Sequence, residues 1–196
     1  MGIGDAVFEQ ITILLSFVFA VALTHLLTST TDLILGRERV RFSGLLTLWM
    51  VNALIGLVVN WLSIWQLHIV KNWTVADVLF QLTPAVLQYF ACSLVSIRVE
   101  SGSPLDMRQF YLGQRPAFTG AFAAMMLINL LQNYVYRDSS AGIRGNDWIW
   151  EDVLVAAMLG AALISGWSKS TLLQWVAGLS MAGLESYMLA TFTITA

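Results

Sequence analysis

From Leu45 to Ile69 the chain carries no Asp, Glu, Lys or Arg. A membrane helix needs roughly 20 largely apolar residues, because each adds about 1.5 Å across a hydrocarbon core of about 30 Å. Five further stretches have the same character. They run from about Phe8 to Leu35, with His25 and Asp32 inside, and from Thr74 to Ile97. The others are Ala117 to Tyr136, Trp148 to Trp167 with its acids in the first turn, and Ser170 to Ile194, interrupted by Glu185. Of 196 residues, 58% are apolar and 11% are charged. A soluble domain carries about 25% charged residues to wet its surface. The expected fold is therefore all-α: one polytopic transmembrane domain over residues 1–196, with six membrane helices and the lipid bilayer as its solvent.

Local signals support these boundaries. Thr74 and Asp77 have the spacing of a capping box ahead of an apolar run. Ser103-Pro104-Leu105-Asp106 has it too, with Pro in the first helical position. A short helix over 104–112 is expected from this second box, closed by Gly113 and lying in the membrane interface. Arg115-Pro116 would restart the chain at the fourth span.

The net charge of −2 gives no basic field to hold nucleic acid. Cys92 is the single cysteine, so no intrachain disulfide is expected and no thiolate metal cluster. The first apolar run has no Lys or Arg before it and is too long for a signal peptide.

Basic residues set the expected orientation. Arg37, Arg39, Arg41, Arg98, Arg108, Arg115 and Lys169 fall in alternate connections. The opposite connections hold Lys71, Arg137 and Arg144, together with Asp5, Glu9, Asp138, Asp147, Glu151 and Asp152. Both termini are then expected outside. Trp61, Trp65, Trp73, Trp148 and Trp150 would form an outer aromatic belt, and Trp49, Trp167 and Trp175 an inner one. Connection lengths repeat in a medium, short, long, medium, short order. Two inverted triplets, a 3+3 build, would produce that order; six unrelated helices would too.

Polar groups at membrane depth are where function leaves a trace, since a charge there costs at least about 2.5 kcal/mol on insertion scales. His25, Thr28, Ser29 and Asp32 share one face of the first helix. They can form a proton-relaying ladder, or Asp32 can pair with a loop arginine while His25 bonds a neighbouring helix. Glu185 shares a face with Gln174, Gly178 and Met181. It is a candidate proton carrier or ion ligand, or half of a structural pair. Asn52 and Asn60 flank Gly56 on the second helix. Gln81 and Gln88 lie on the third, and Asn129, Gln132, Asn133 and Tyr136 form a stripe on the fourth. Such amides either line a wet path or act as interhelical glue at about 0.6 kcal/mol each. The fifth helix offers small residues instead, suited to close packing or a homo-oligomer face.

There is no phosphate loop, no zinc-protease motif and no nucleophile elbow. His25 and His68 differ in depth by roughly 20 Å, too far for a shared haem. No cofactor, metal or catalytic residue is expected; the chain is not read as an enzyme, and a third reading, an intramembrane enzyme, would have to work within the bilayer. The leading functional reading is a small proton- or ion-coupled transporter or channel subunit. Its candidate site residues are His25, Asp32, Asn60, Gln88, Asn133 and Glu185. The alternative is a non-catalytic accessory or scaffold subunit held to a membrane-complex partner.

The segments Ala22-Leu23-Thr24-His25-Leu26-Leu27 and Arg37-Glu38-Arg39-Val40-Arg41, followed by Trp49, Asn52, Trp61 and Trp65, cover the first half of the chain. In them the chain resembles a group of uncharacterised six-helix proteins of the bacterial inner membrane. The resemblance implies a multi-pass inner-membrane location and no particular activity.

Overall fold

The computed structural model describes residues 3–70, 73–98, 104–136 and 147–192. Among the described residues six α-helices carry the fold: α1 (Ile3–Leu35), α2 (Gly44–Ser63), α3 (Val75–Val95), α4 (Met107–Val135), α5 (Asp147–Trp167) and α6 (Thr171–Thr191). All but α6 are long and apolar enough to cross a membrane. α6 matches α3 and α5 in length at 21 residues, but Gln174, Glu185 and several hydroxyls dilute its apolar character.

Side-chain contacts fix the direction of each helix. Trp61 donates to Ser16 from the far end of α2, so α1 and α2 are antiparallel. Gln132 and Tyr136 of α4 reach Phe80 and Asp77 of α3, again antiparallel. Asn133 meets Asp152, and Arg115 meets Ser168, so α4 and α5 are antiparallel too. α2 and α6 run the same way, with Gly44 against Trp175 and Gly56 against Glu185. This alternation gathers Arg37, Arg39, Arg41, Arg98, Arg108, Arg115 and Lys169 toward one end of the bundle, called here the basic end. Asp77 and Asp152 lie toward the other, the acidic end. Lys71, Arg137 and Arg144 lie outside the described residues.

At the basic end two short strands, β1 (Val40–Arg41) and β2 (Leu105–Asp106), pair in parallel. Arg41 and Asp106 also approach to 3.6 Å, a solvated contact of little energetic weight. Ser29 of α1 ties down the end of α3, accepting from the Ile97 N–H and donating to its carbonyl at 2.8 and 2.9 Å.

The expected interfacial helix over 104–112 is corrected: it is the first part of α4, which runs unbroken through Gly113 and Pro116. Its cap is Asp106, which accepts from the Arg108 and Gln109 N–H groups; Ser103 of the expected box lies outside the described residues. A proline within a helix removes one backbone bond, a loss that membrane helices tolerate when neighbours satisfy the freed groups. Pro84 of α3 illustrates this. It cannot bond the Phe80 carbonyl, and Gln132 of α4 donates to that carbonyl at 2.9 Å. The second segment is also modified: α2 stops at Ser63 and Ile64–Ile69 tightens into a 3-10 turn. The Thr74–Asp77 capping box is formed in full.

Helix pairings do not follow a 3+3 repeat. α1 lies along α3, whereas their counterparts α4 and α6 meet locally, at Tyr111 and Gln174, and α5 packs along both. Large apolar side chains such as Phe17, Leu27, Leu79, Leu127, Leu172 and Val176 face outward around the bundle. That surface suits lipid. The interior is closed by Leu46, Trp49, Tyr111, Phe118, Phe122, Met125 and Met181. Trp49 is a correction to the inner belt: it is fully buried between Phe118 and Phe122, each ring 5.3 Å away. Trp167 and Trp175 stay exposed, as do Trp61, Trp65 and Trp150 toward the acidic end.

Candidate functional site

α6 turns Gln174, Ala177, Gly178, Met181 and Glu185 inward, the face expected from their spacing. Glu185 is 1% exposed, and neither carboxyl oxygen has a hydrogen-bond partner among the described residues. It lies over bare backbone of α2. A Cβ added at Gly56 would stand 2.9 Å from Glu185 Oε1 and 3.6 Å from Gln88 Oε1. Glycine leaves that space to two oxygen acceptors, from α3 and α6, above α2.

The neighbouring amides have their donors engaged elsewhere. Gln88 Nε2 donates to the Ala53 carbonyl at 3.0 Å and to Cys92 Sγ at 3.3 Å. Asn60 Nδ2 donates to Gln88 Oε1 at 2.9 Å and to Met125 Sδ at 3.3 Å. Asn129 Nδ2 donates in turn to Asn60 Oδ1 at 3.4 Å. An amide nitrogen has two protons, so Gln88 and Asn60 have none left for Glu185. The arrangement therefore presents acceptor to acceptor. Its chemistry suits a species that supplies positive charge or a proton, and it offers nothing to an anion.

The surroundings differ on the two sides. Toward the acidic end the polar stripe of α4 continues from Asn129 through Gln132, Asn133 and Tyr136, all half-buried. Asn133 donates to Asp152 at 2.8 Å, and the Tyr136 hydroxyl donates to Asp77 at 3.1 Å. Toward the basic end the site is closed by Met181 and by Trp49 with its two phenylalanines. Asn52 there donates to the Gly178 carbonyl at 3.0 Å. Further along, Tyr111 donates to Gln174 Oε1 at 3.1 Å, and both Gln174 and Arg115 donate to the Ser168 carbonyl.

Of the six candidate residues, the structure brings together Asn60, Gln88 and Glu185. Asn133 lies further along the same polar stripe. His25 stands apart, on the far side of α3, where its Nε2 is 3.4 Å from the Tyr89 hydroxyl and the two rings meet edge-on. Asp32 is half-buried near the end of α1. The expected ladder between them is interrupted: Thr28 faces outward, and the Ser29 hydroxyl is engaged with Ile97. Sequence reasoning left out Cys92 and did not single out Gly56, Asn129 or Met125 as site members. Cys92 was signalled by its position four residues after Gln88, and Gly56 by its position between two asparagines on one face. No family model, curated protein or solved structure matches this chain.

Proposed function

We propose that this chain is a multi-pass membrane protein of six transmembrane helices that carries a proton or small cation, as a small ion-coupled transporter or channel subunit. Glu185 is its coupling group. The single observation that supports this most is the fully buried Glu185 carboxyl, without a hydrogen-bond partner among the described residues and sharing the space over Gly56 with a second acceptor. An ionisable side chain at such depth commonly marks an ion or proton path. α6 is counted as the sixth span because it runs alongside α2. The gathering of seven basic residues at one end favours that end as cytoplasmic, with both termini outside. The resemblance in the first half of the chain favours a bacterial inner membrane.

The test is a proton and cation flux assay on purified protein in liposomes, wild type beside Glu185→Gln. Flux in the wild type that disappears with the substitution, at unchanged melting temperature, supports the reading. Flux that survives Glu185→Gln removes Glu185 from the path. Orientation is tested separately with a reporter that works only in the cytoplasm, fused after Ala196. It should stay silent, and strong activity would reverse the orientation.

A second reading is favoured by a specific observation: the amides of Asn52, Asn60 and Gln88 are engaged with protein groups. On that reading they are glue in an accessory or scaffold subunit. Glu185→Gln would then leave liposomes equally silent, and Asn60→Leu would lower abundance or release a membrane partner in a mild-detergent pull-down.

A further inference from the structure

Three observations around Glu185 bear on what it binds and from where. First, its own oxygens and Gln88 Oε1 are acceptors, and the amide protons of Gln88 and Asn60 are all engaged. A neutral carboxylic acid would complete this set, since it carries one O–H donor and keeps an acceptor oxygen. Second, the oxygens on hand are few for a cation that must exchange its hydration shell for protein oxygens. Gln88 Oε1 already accepts from Asn60, and the Ala53 carbonyl accepts from Gln88 and also faces the Cys92 thiol at 3.8 Å. Third, exposure rises along the polar file itself, toward the acidic end. Asn133, Gln132, Asn129 and Asn60 are half-buried, and Gln88 and Glu185 are buried. In the opposite direction Met181, Trp49, Phe118 and Phe122 are all fully buried.

We infer that Glu185 is a single-proton site, reached by water along the Asn129–Asn60–Gln88 file from the acidic end and sealed from the basic end by Met181 and the Trp49 cluster. This rests on the proposed function for its place in transport. The groups facing the site are limited. α3 brings the Cys92 thiol, which accepts from Gln88 Nε2 at 3.3 Å. α2 brings Gly56, Asn52 and Asn60, none of which titrates. α5 carries Glu151 and Asp152 in its opening turns, with Asp152 engaged by Asn133.

The experiment is infrared difference spectroscopy of the full chain in lipid films, which reads protonation without any flux. The expected result is a protonated-carboxyl stretch at neutral pH that is absent in Glu185→Gln and unchanged by saturating NaCl or KCl. On transfer to D2O the band should shift, at least tenfold more slowly in Asn60→Leu than in wild type. Asn129→Leu serves as the second variant if Asn60→Leu does not fold. Gln174→Leu, on the sealed side, should exchange at the wild-type rate. A carboxylate signal that grows with either salt would overturn the inference in favour of a cation site. Wild-type exchange in both Asn variants, or slowing in Gln174→Leu, would overturn the direction of access. If the band and its exchange behave as expected while liposomes show no flux, the transport reading fails and the proton site stands.

Discussion

Toward the acidic end the helices are joined by Asn129, Asn60, Gln132 and Asn133, each half-buried and each bonded to a neighbouring helix. Toward the basic end they are joined by Trp49, Phe118, Phe122 and Met181, each fully buried. The first mode resists separation weakly, because each interhelical bond in a membrane is worth about 0.6 kcal/mol on average. The second fills volume, and an interior packed at crystal-like density loses more when a side chain is removed. The basic-end half should therefore carry more of the stability, while the acidic-end half can admit water at little cost. Glu185 sits where the two modes meet.

This contrast can be broken, and the sharpest attempt is Trp49→Ala. Emptying the space between Phe118 and Phe122 should cost about 3–5 kcal/mol. The melting temperature of purified protein in a fixed detergent reads the loss. A shift no larger than that of an amide variant would end the contrast. Next in size is Gly178→Val. A Cβ there would meet Leu48 Cδ2 at 2.7 Å, and overpacking of this kind costs about 1–3 kcal/mol. Gly56→Ala sharpens the comparison from the other side. Its Cβ meets the far end of the Glu185 side chain rather than a packed branch, so melting should change less than in Gly178→Val while the Glu185 infrared band moves.

Smaller effects test the polar joints. Gln174→Leu removes an acceptor of the buried Tyr111 hydroxyl, and losing one such hydrogen bond costs about 0.5–1.5 kcal/mol. Asn60→Leu should cost the least, about 1 kcal/mol or under, yet have the largest effect on proton exchange at Glu185. A thermal scan of the two variants side by side checks the order. If Asn60→Leu proves the more damaging, the amides carry the fold and the scaffold reading gains.

Much of the fold was legible in the chain because membrane solvation leaves a one-dimensional record. A helix in lipid must satisfy its backbone internally and cover itself with apolar side chains, so gaps between charges mark spans directly. The Thr74–Asp77 box was legible for a similar reason: its partners are three residues apart. The start of α4 was not. Gly113 and Pro116 read as stops in isolation, but their effect depends on the helices alongside, and α4 continues past both. Trp49 read as a belt residue from its distance to the helix end, and only the helices on its far side decide that it is core. Among the candidate site residues, His25 and Glu185 look alike in sequence, each an ionisable group deep in an apolar run. The packing separates them, giving His25 a tyrosine at the edge of α3 and giving Glu185 a glycine and an amide in the centre.

The sequence by itself determined that this chain is a membrane protein of long helices, that its basic residues fall in alternate connections, and that α6 has one polar face containing Glu185. Each of these is a property of neighbours along a helix of known geometry. Only the tertiary structure decided that Gly56, Gln88 and Glu185 meet, that Asn129, Asn60 and Gln88 form one connected file, and that aromatic rings close the other half. Those are contacts between residues far apart in the chain, and interhelical packing in a bilayer is set by shape and hydrogen bonding rather than by a hydrophobic difference that a linear pattern could report.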